Sequence, residues 1–419
     1  MNRRSCWASL IAGLCFSLAG AAAHAAPCTW VADSLGPAEP TPYPPAPQTW
    51  EFDYYRWDNK CYGSGDQWVE WKDQNAWIHG MTPLLEQRLD FYRPDGTVLQ
   101  PRPLIVWAHP GGGKDDLMSA QLAYLLKPAI LAGYAFASIE FRHPLSSFVS
   151  DASVAACMDY TNGAGPCPPA TGPAPVPNDD PATAVRYLRY KAAEFGIDPD
   201  NIFLVGQSRG SLTLQNALRK IPAEPGVGGW RGQPGTVKGV MVHQAQTSYV
   251  EDEIATTFIQ AFEGTEPRRE WFRQDFPDVP SQAGVPLAEV PGSSLELADA
   301  GSFVPLRMTY EKEVNANPDG SVQLGCYRSY SLNPGHPPHT ACPVGRFEFD
   351  VHDPNYGKAL KSIYLGAGQG SQFMLCPSMG VDKPEVAFSG YVAFFDWLRG
   401  VGSKPGCPIP AAARKPPGR

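Results

Sequence analysis

From residue 87 onward the chain alternates two apolar patterns. Short runs rich in β-branched and aromatic residues read as buried strands, at 87–92, 103–108, 135–141, 202–206, 237–242, 304–310 and 372–376. Between several of them lie stretches whose apolar residues recur every three or four positions, the spacing of an amphipathic helix. These predict helices over 119–131, 180 to about 195, 210–219, 356–365 and 388–398. Asp180 and Pro181 open the second of these, where a proline and an acid suit the first turn. Strands that alternate with helices imply an α/β fold, a mostly parallel central sheet with helices on both faces.

The rhythm is broken in four places. Residues 26–84 form a segment rich in proline at first and in tryptophan and tyrosine between 50 and 77, read chiefly as a layer packed over the core. Residues 142–180 hold many Pro, Gly and Ser with Cys157 and Cys167, and read as a stapled loop. Residues 245–300 mix polar and aromatic positions and predict a cap inserted into the main domain of 85–405. The proline-rich end, 406–419, reads as a flexible tail.

One pentapeptide stands at a strand–helix junction. Gly206-Gln207-Ser208-Arg209-Gly210 follows Ile202-Phe203-Leu204-Val205 and opens the helical spacing of Leu212, Leu214 and Leu218. A strand that turns sharply into a helix at a serine leaves that hydroxyl exposed, and the flanking glycines let backbone pass against backbone. The plain alternative is a Ser N-cap in an ordinary turn. A second signal supports the chemical reading. His109-Pro110-Gly111-Gly112-Gly113 directly follows the strand Leu104-Ile105-Val106-Trp107. A glycine run there brings N–H groups close to a substrate oxygen, and the helix N-terminus at Arg209 offers another.

With these motifs the chain resembles the α/β-hydrolase family, in particular its secreted bacterial carboxylesterase and lipase-like members. The likeness rests on residues 109–113 and 206–210, and on Asp180-Pro181-Ala182-Thr183-Ala184-Val185-Arg186-Tyr187-Leu188 and Gly196-Ile197-Asp198-Pro199-Asp200 leading into the serine. It implies cleavage of a small-molecule or polymer ester without a cofactor, by a triad in the order Ser, acid, His. It places the acid just past the strand at 304–310, which makes Glu311 the first choice and Glu313 the second. Of the eight histidines, His336, His339 and His352 come after that acid. The first two lie among prolines in a cysteine loop. His352, at the end of a short apolar run and the start of a helix, is the expected base, with Asp350 and Asp353 as alternative orienting acids. The family's usual histidine follows the last strand, and residues 377–385 contain none. The expected site is thus Ser208, His352 and Glu311, with N–H groups of Gly112, Gly113 and Arg209 for the oxyanion. A serine peptidase on the same fold and a non-catalytic binding protein that lost its base are the alternatives.

Charge and cysteine set the surroundings. Arg3 and Arg4, an apolar stretch from Trp7 to Ala23 and the small residues at Ala23-His24-Ala25 form a secretory leader over 1–25. The chain carries 34 basic and 42 acidic residues, and no polybasic run that would point to nucleic acid. No later segment is apolar for long enough to span a bilayer. Cys6 and Cys15 lie in the leader, and the other eight of the ten cysteines suit disulfides in a secreted or periplasmic protein. Eight cysteines allow about 105 pairings among which sequence does not choose; sequential pairing, the simplest, gives Cys28–Cys61, Cys157–Cys167, Cys326–Cys342 and Cys376–Cys407. No C-x-x-C spacing suggests a metal centre.

Overall fold

The computed structural model describes residues 55–61, 69–70, 84–85, 88–94, 100–110, 119–139, 180–220, 233–248, 303–312, 325–327, 348–349, 352–377 and 388–407, with a few single positions between them. The expected leader, the glycines at 111–113, residues 142–179 of the expected stapled loop and most of the expected cap lie outside the described residues.

The strands are β1 Tyr55–Cys61, β2 Val69–Glu70, β3 Leu84–Leu85, β4 Arg88–Arg93, β5 Arg102–Ala108, β6 Ala135–Ile139, β7 Ile197–Gln207, β8 Gly239–His243, β9 Leu306–Thr309, β10 Cys326–Tyr327, β11 Glu348–Phe349 and β12 Phe373–Cys376. The helices are α1 Ser119–Leu131, α2 Asp180–Tyr190, α3 Ala192–Phe195, α4 Arg209–Lys220, α5 Asn355–Gly366 and α6 Tyr391–Leu398. Eight strands form one sheet in the order β1-β4-β6-β5-β7-β8-β9-β12. Both neighbours of β4 pair with it antiparallel, and every other pair is parallel. A parallel sheet with one reversed strand near its edge and a central strand that leads into a serine turn is the α/β-hydrolase fold.

The period of two along each strand divides the core. Leu104, Val106, Ile202, Leu204, Val240 and Val242 face one layer, closed by α2, α3, α4 and α5. Ile105, Trp107, Phe203, Val205 and Met241 face the other, closed by α1 and α6. Such double-sided burial is why β5, β7 and β8 read as continuous apolar runs rather than alternating ones. On the α6 side aromatic rings dominate. Phe203 stacks on Phe395 at 4.6 Å, and Trp107 meets Phe388 edge-on at 5.6 Å.

Three differences from the sequence reading alter the architecture. The edge strand β1 lies in the segment assigned to a packed aromatic layer, so part of 26–84 completes the sheet. Strand β7 begins five residues early, at Ile197. Asp198 there accepts from the Asp200 N–H and the Asn201 amide, which holds a polar irregularity inside the strand, and the register against β5 shifts at that point. The single helix expected over 180–195 is two, α2 and α3, with Lys191 between them. The described disulfide is Cys376–Cys407, Cα–Cα 5.3 Å, which ties the chain after α6 back to the last strand. Closing a loop of 31 residues is worth about 3.5 kcal/mol in the chain-entropy account. The other three pairings lie outside the described side chains.

Two glycines carry the junction between β7 and α4. A Cβ on Gly210 would drive into the carbonyl oxygens of Ala108 and His109 and lie 2.7 Å from the Ala108 carbonyl carbon. One on Gly206 would lie 2.8 Å from Leu214 Cδ1 and 3.1 Å from Gly210 backbone. Gly210→Ala is therefore expected to lower stability by about 3 kcal/mol. Gly366, with nothing within 4 Å, is the control; Ala there should be neutral or stabilising by up to about 1 kcal/mol. Urea midpoints of the two variants check this, and equal midpoints would contradict the close approach at Gly210.

Candidate functional site

The site grows from the carboxyl edge of the sheet. Gln207, His243, Thr309 and Cys376 stand in one register row across β7, β8, β9 and β12. The ladder continues one row further. Ser208 N–H donates to the His243 carbonyl at 3.0 Å, Gln244 N–H to Thr309 at 2.9 Å, and Tyr310 N–H to Cys376 at 3.0 Å. The residues just past the strands are thus fixed by sheet bonds although they have left the strands.

Ser208 is one of these, and its φ is +49°. An L-residue in the left-handed region costs of order 1–3 kcal/mol and persists only where the surroundings impose it. Here they do, because the Ser208 N–H is held by His243 and its carbonyl accepts from Ser211 N–H at 3.0 Å in the first turn of α4. Gln244, one strand over, also has positive φ, +48°, and Gln207 Nε2 donates to its side-chain oxygen at 3.5 Å. Two adjacent strands therefore end in non-glycine residues of the same unusual conformation.

The Ser208 side chain does not cap α4. Its Oγ is hydrogen-bonded to His352 Nε2 at 2.8 Å across 144 residues of sequence. His352 sits in the turn between β11 and α5. That turn is fixed by Asp353, whose carboxylate accepts the Asn355 N–H at 2.8 Å, and by Asn355, whose amide donates to the Gln323 carbonyl at 3.1 Å. The helix behind it packs tightly: a Cβ on Gly357 would lie 2.7 Å from the Tyr310 ring and 2.8 Å from Leu375. Tyr310 is fully buried and donates to the Ala245 carbonyl at 2.8 Å, and burial pushes its phenol well above the usual range. One tyrosine thus joins the ends of β8 and β9 to the helix that follows the histidine.

Glu311 follows Tyr310 at the same edge. Its Oε1 lies 3.7 Å from Nε2 of His243, a histidine 2 % exposed whose Nδ1 is 3.0 Å from Thr309 Oγ1. Sequence reasoning ended the β8 strand at 242 and left His243 unassigned. A polar residue closing an otherwise apolar central strand was the signal available. Asp353, weighed as an orienting acid, spends its carboxylate on the α5 turn. Glu313 and Asp350 lie outside the described residues, as do Gly112, Gly113, His336 and His339. Of the expected oxyanion donors, Arg209 is described as the first residue of α4, where an N–H has no intrahelical acceptor. The backbone of His109, which leads into the glycine run, presses against Gly210 of the same turn.

Among the described residues no group of three or more His, Cys, Asp or Glu side chains is placed to hold a metal ion. No described helix is long and apolar enough to cross a membrane.

No family model matches the chain, and no curated protein does. Solved structures similar to it include a truncated carbohydrate esterase from gut microbiota, at 15% identity and TM-score 0.42, with 82% of this chain and 96% of that one covered. A second is the ester hydrolase EH1AB1 from the metagenome of Lake Arreo, bound to a bipyridine phosphonate derivative, at 16% identity and TM-score 0.43 over 75% and 79%. A third is a thermophilic esterase from the planctomycete Thermogutta terrifontis, at 14% identity and TM-score 0.38 over 75% and 92%.

Burial, at 1 % exposure, raises the Asp353 carboxyl to about 6, against the opposing Asn355 N–H and the Lys312 charge. The unfolded value is about 4. Because the folded value is the higher one, the stability this group contributes is complete below about pH 4 and is lost as the pH rises through 6. Asp353→Asn keeps an oxygen for the Asn355 N–H and carries no charge. It is expected to match the wild type near pH 4 and to exceed it by about 2–3 kcal/mol at pH 8. Urea denaturation across that range measures the difference, and parallel profiles would contradict the assignment.

Proposed function

We propose that this chain is an exported serine hydrolase that cleaves carboxylic esters through an acyl-enzyme. The observation that carries the reading is the 2.8 Å contact between Ser208 Oγ and His352 Nε2, made by a serine on a left-handed strand–helix turn. A serine hydroxyl is a weak nucleophile until a base removes its proton. In this reading Ser208 donates its hydroxyl proton to His352 Nε2 as Oγ attacks the ester carbonyl carbon. The carbonyl oxygen becomes an oxyanion, held by N–H groups of Arg209, Gly112 and Gly113. Each such donor is typically worth about 3 kcal/mol in the transition state. Collapse breaks the ester C–O bond, and His352 returns the proton to the departing alcohol. Water then attacks the acyl-serine with His352 again as base, releasing the acid and restoring the hydroxyl.

Glu311 is the orienting acid of this reading. Its position just past β9 and its carboxylate at the sheet edge beside His243 support it over Asp353, whose carboxylate is engaged with Asn355. Export to the periplasm or the cell exterior belongs to the same proposal, supported by the basic–apolar leader and by the Cys376–Cys407 bridge.

Ser208→Ala and His352→Ala are each expected to cut kcat on a short p-nitrophenyl ester by at least about a thousandfold. The double variant should be no worse than either single one, since the two groups act as a unit. Initial-rate kinetics with matched far-ultraviolet spectra decide it. Retained turnover in either single variant, or losses that multiply in the double one, would exclude the mechanism.

A further inference from the structure

His243 does two things at once. Its carbonyl accepts the Ser208 N–H at 3.0 Å and so holds the strained serine. Its ring reaches the other way, with Nδ1 3.0 Å from Thr309 Oγ1 and Nε2 3.7 Å from Glu311 Oε1. Thr309 lies beside His243 in the β8–β9 register, and its hydroxyl is 3.4 Å from the Val242 carbonyl. The ring is packed edge-on against Phe388 at 5.5 Å and is 2 % exposed, so it has little freedom to turn.

The neighbours fix where the proton sits. A lone pair on Nε2 would face a carboxylate oxygen, two acceptors in opposition. The favourable state carries N–H at Nε2. Thr309 can serve either form of the ring. It donates to a bare Nδ1, or it accepts from Nδ1–H while its own proton points at Val242. In both, a ring N–H at Nε2 faces Glu311.

We infer that His243 is a positioning residue that holds the Glu311 carboxylate in place at the carboxyl edge of the sheet. Through that carboxylate it supports the orientation of the base. This inference rests on the reading of Glu311 as the orienting acid of the ester-cleaving site. At 3.7 Å the contact is electrostatic and longer than a hydrogen bond, and a buried N–H there favours those carboxylate orientations that turn an oxygen toward it. The same residue also ties acid to nucleophile, since ring and carbonyl belong to one rigid strand end.

Two substitutions separate the two nitrogens. The amide nitrogen of His243→Gln reaches the place of Nε2, and that of His243→Asn reaches the place of Nδ1. The asparagine variant keeps a partner for Thr309 and loses the group facing Glu311. Expected are a loss in kcat of about tenfold or more for His243→Asn, with KM little changed, and kcat within about threefold of wild type for His243→Gln. Urea midpoints measured alongside exclude a difference due to stability alone. Equal kcat in the two variants, at either the wild-type or a reduced level, would overturn the inference while leaving a Ser208-dependent activity in the wild type intact. A wild type without that activity would overturn the ester-cleaving reading, and the inference with it.

Discussion

The first turn of α4 lies against the end of β5 so closely that only a glycine fits at 210. Everything at the carboxyl edge follows from that approach. The chain leaving β7 can enter α4 only through a residue with left-handed φ, and Ser208 occupies that place at +49°. Its side chain is thereby turned out of the helix, its N–H is caught by the neighbouring strand, and the backbone of His109 is brought beside the N-terminus of α4. The local cost of such a backbone is small against the buried sheet that imposes it. Leu104, Val106, Leu204 and Val242 on one face and Trp107, Val205 and Met241 on the other are all fully buried behind it.

His352 arrives by a different route. It precedes the last strand rather than following it, in the turn that opens α5. What brings it to the serine is the packing of α5 against Tyr310 and β12, which Gly357 permits at the expense of helix propensity. Tyr310 in turn binds the chain after β8. Serine, carboxylate and imidazole therefore hang from the ends of β7 and β9, with β8 between them, and from the turn that opens α5. Backbone bonds fix the serine and the ends of β8 and β9, and side-chain contacts of Tyr310, Asp353 and Asn355 fix the turn that holds His352. A site of this build is held in register by the sheet itself.

Legibility in the sequence followed the range of the interactions. The elbow could be read because its causes are local: an apolar strand, two glycines four residues apart and a helical spacing after them. The central strands could be read because burial on both faces leaves continuous apolar runs. The pair His243–Glu311 could not, since it is a contact between adjacent strands and depends on a strand boundary one residue beyond the apolar run. The start of β7 was hidden by Asp198-Pro199-Asp200-Asn201, a run with turn composition that the sheet accommodates through a register shift. Strand β1 was hidden by its setting among aromatic residues that read equally well as a covering layer. The partner of Ser208 was named from chain order and position alone, and the distance that gives it meaning comes only from the packing of α5.

The proposed chemistry requires Ser208 to be an activated nucleophile in the folded protein. Its most direct measurement is reaction with a fluorophosphonate, followed by intact mass and peptide mapping. One adduct per chain is expected, located on Ser208 and absent when the protein is unfolded first. A folded wild-type protein that stays unmodified, or one modified at another residue, would contradict it.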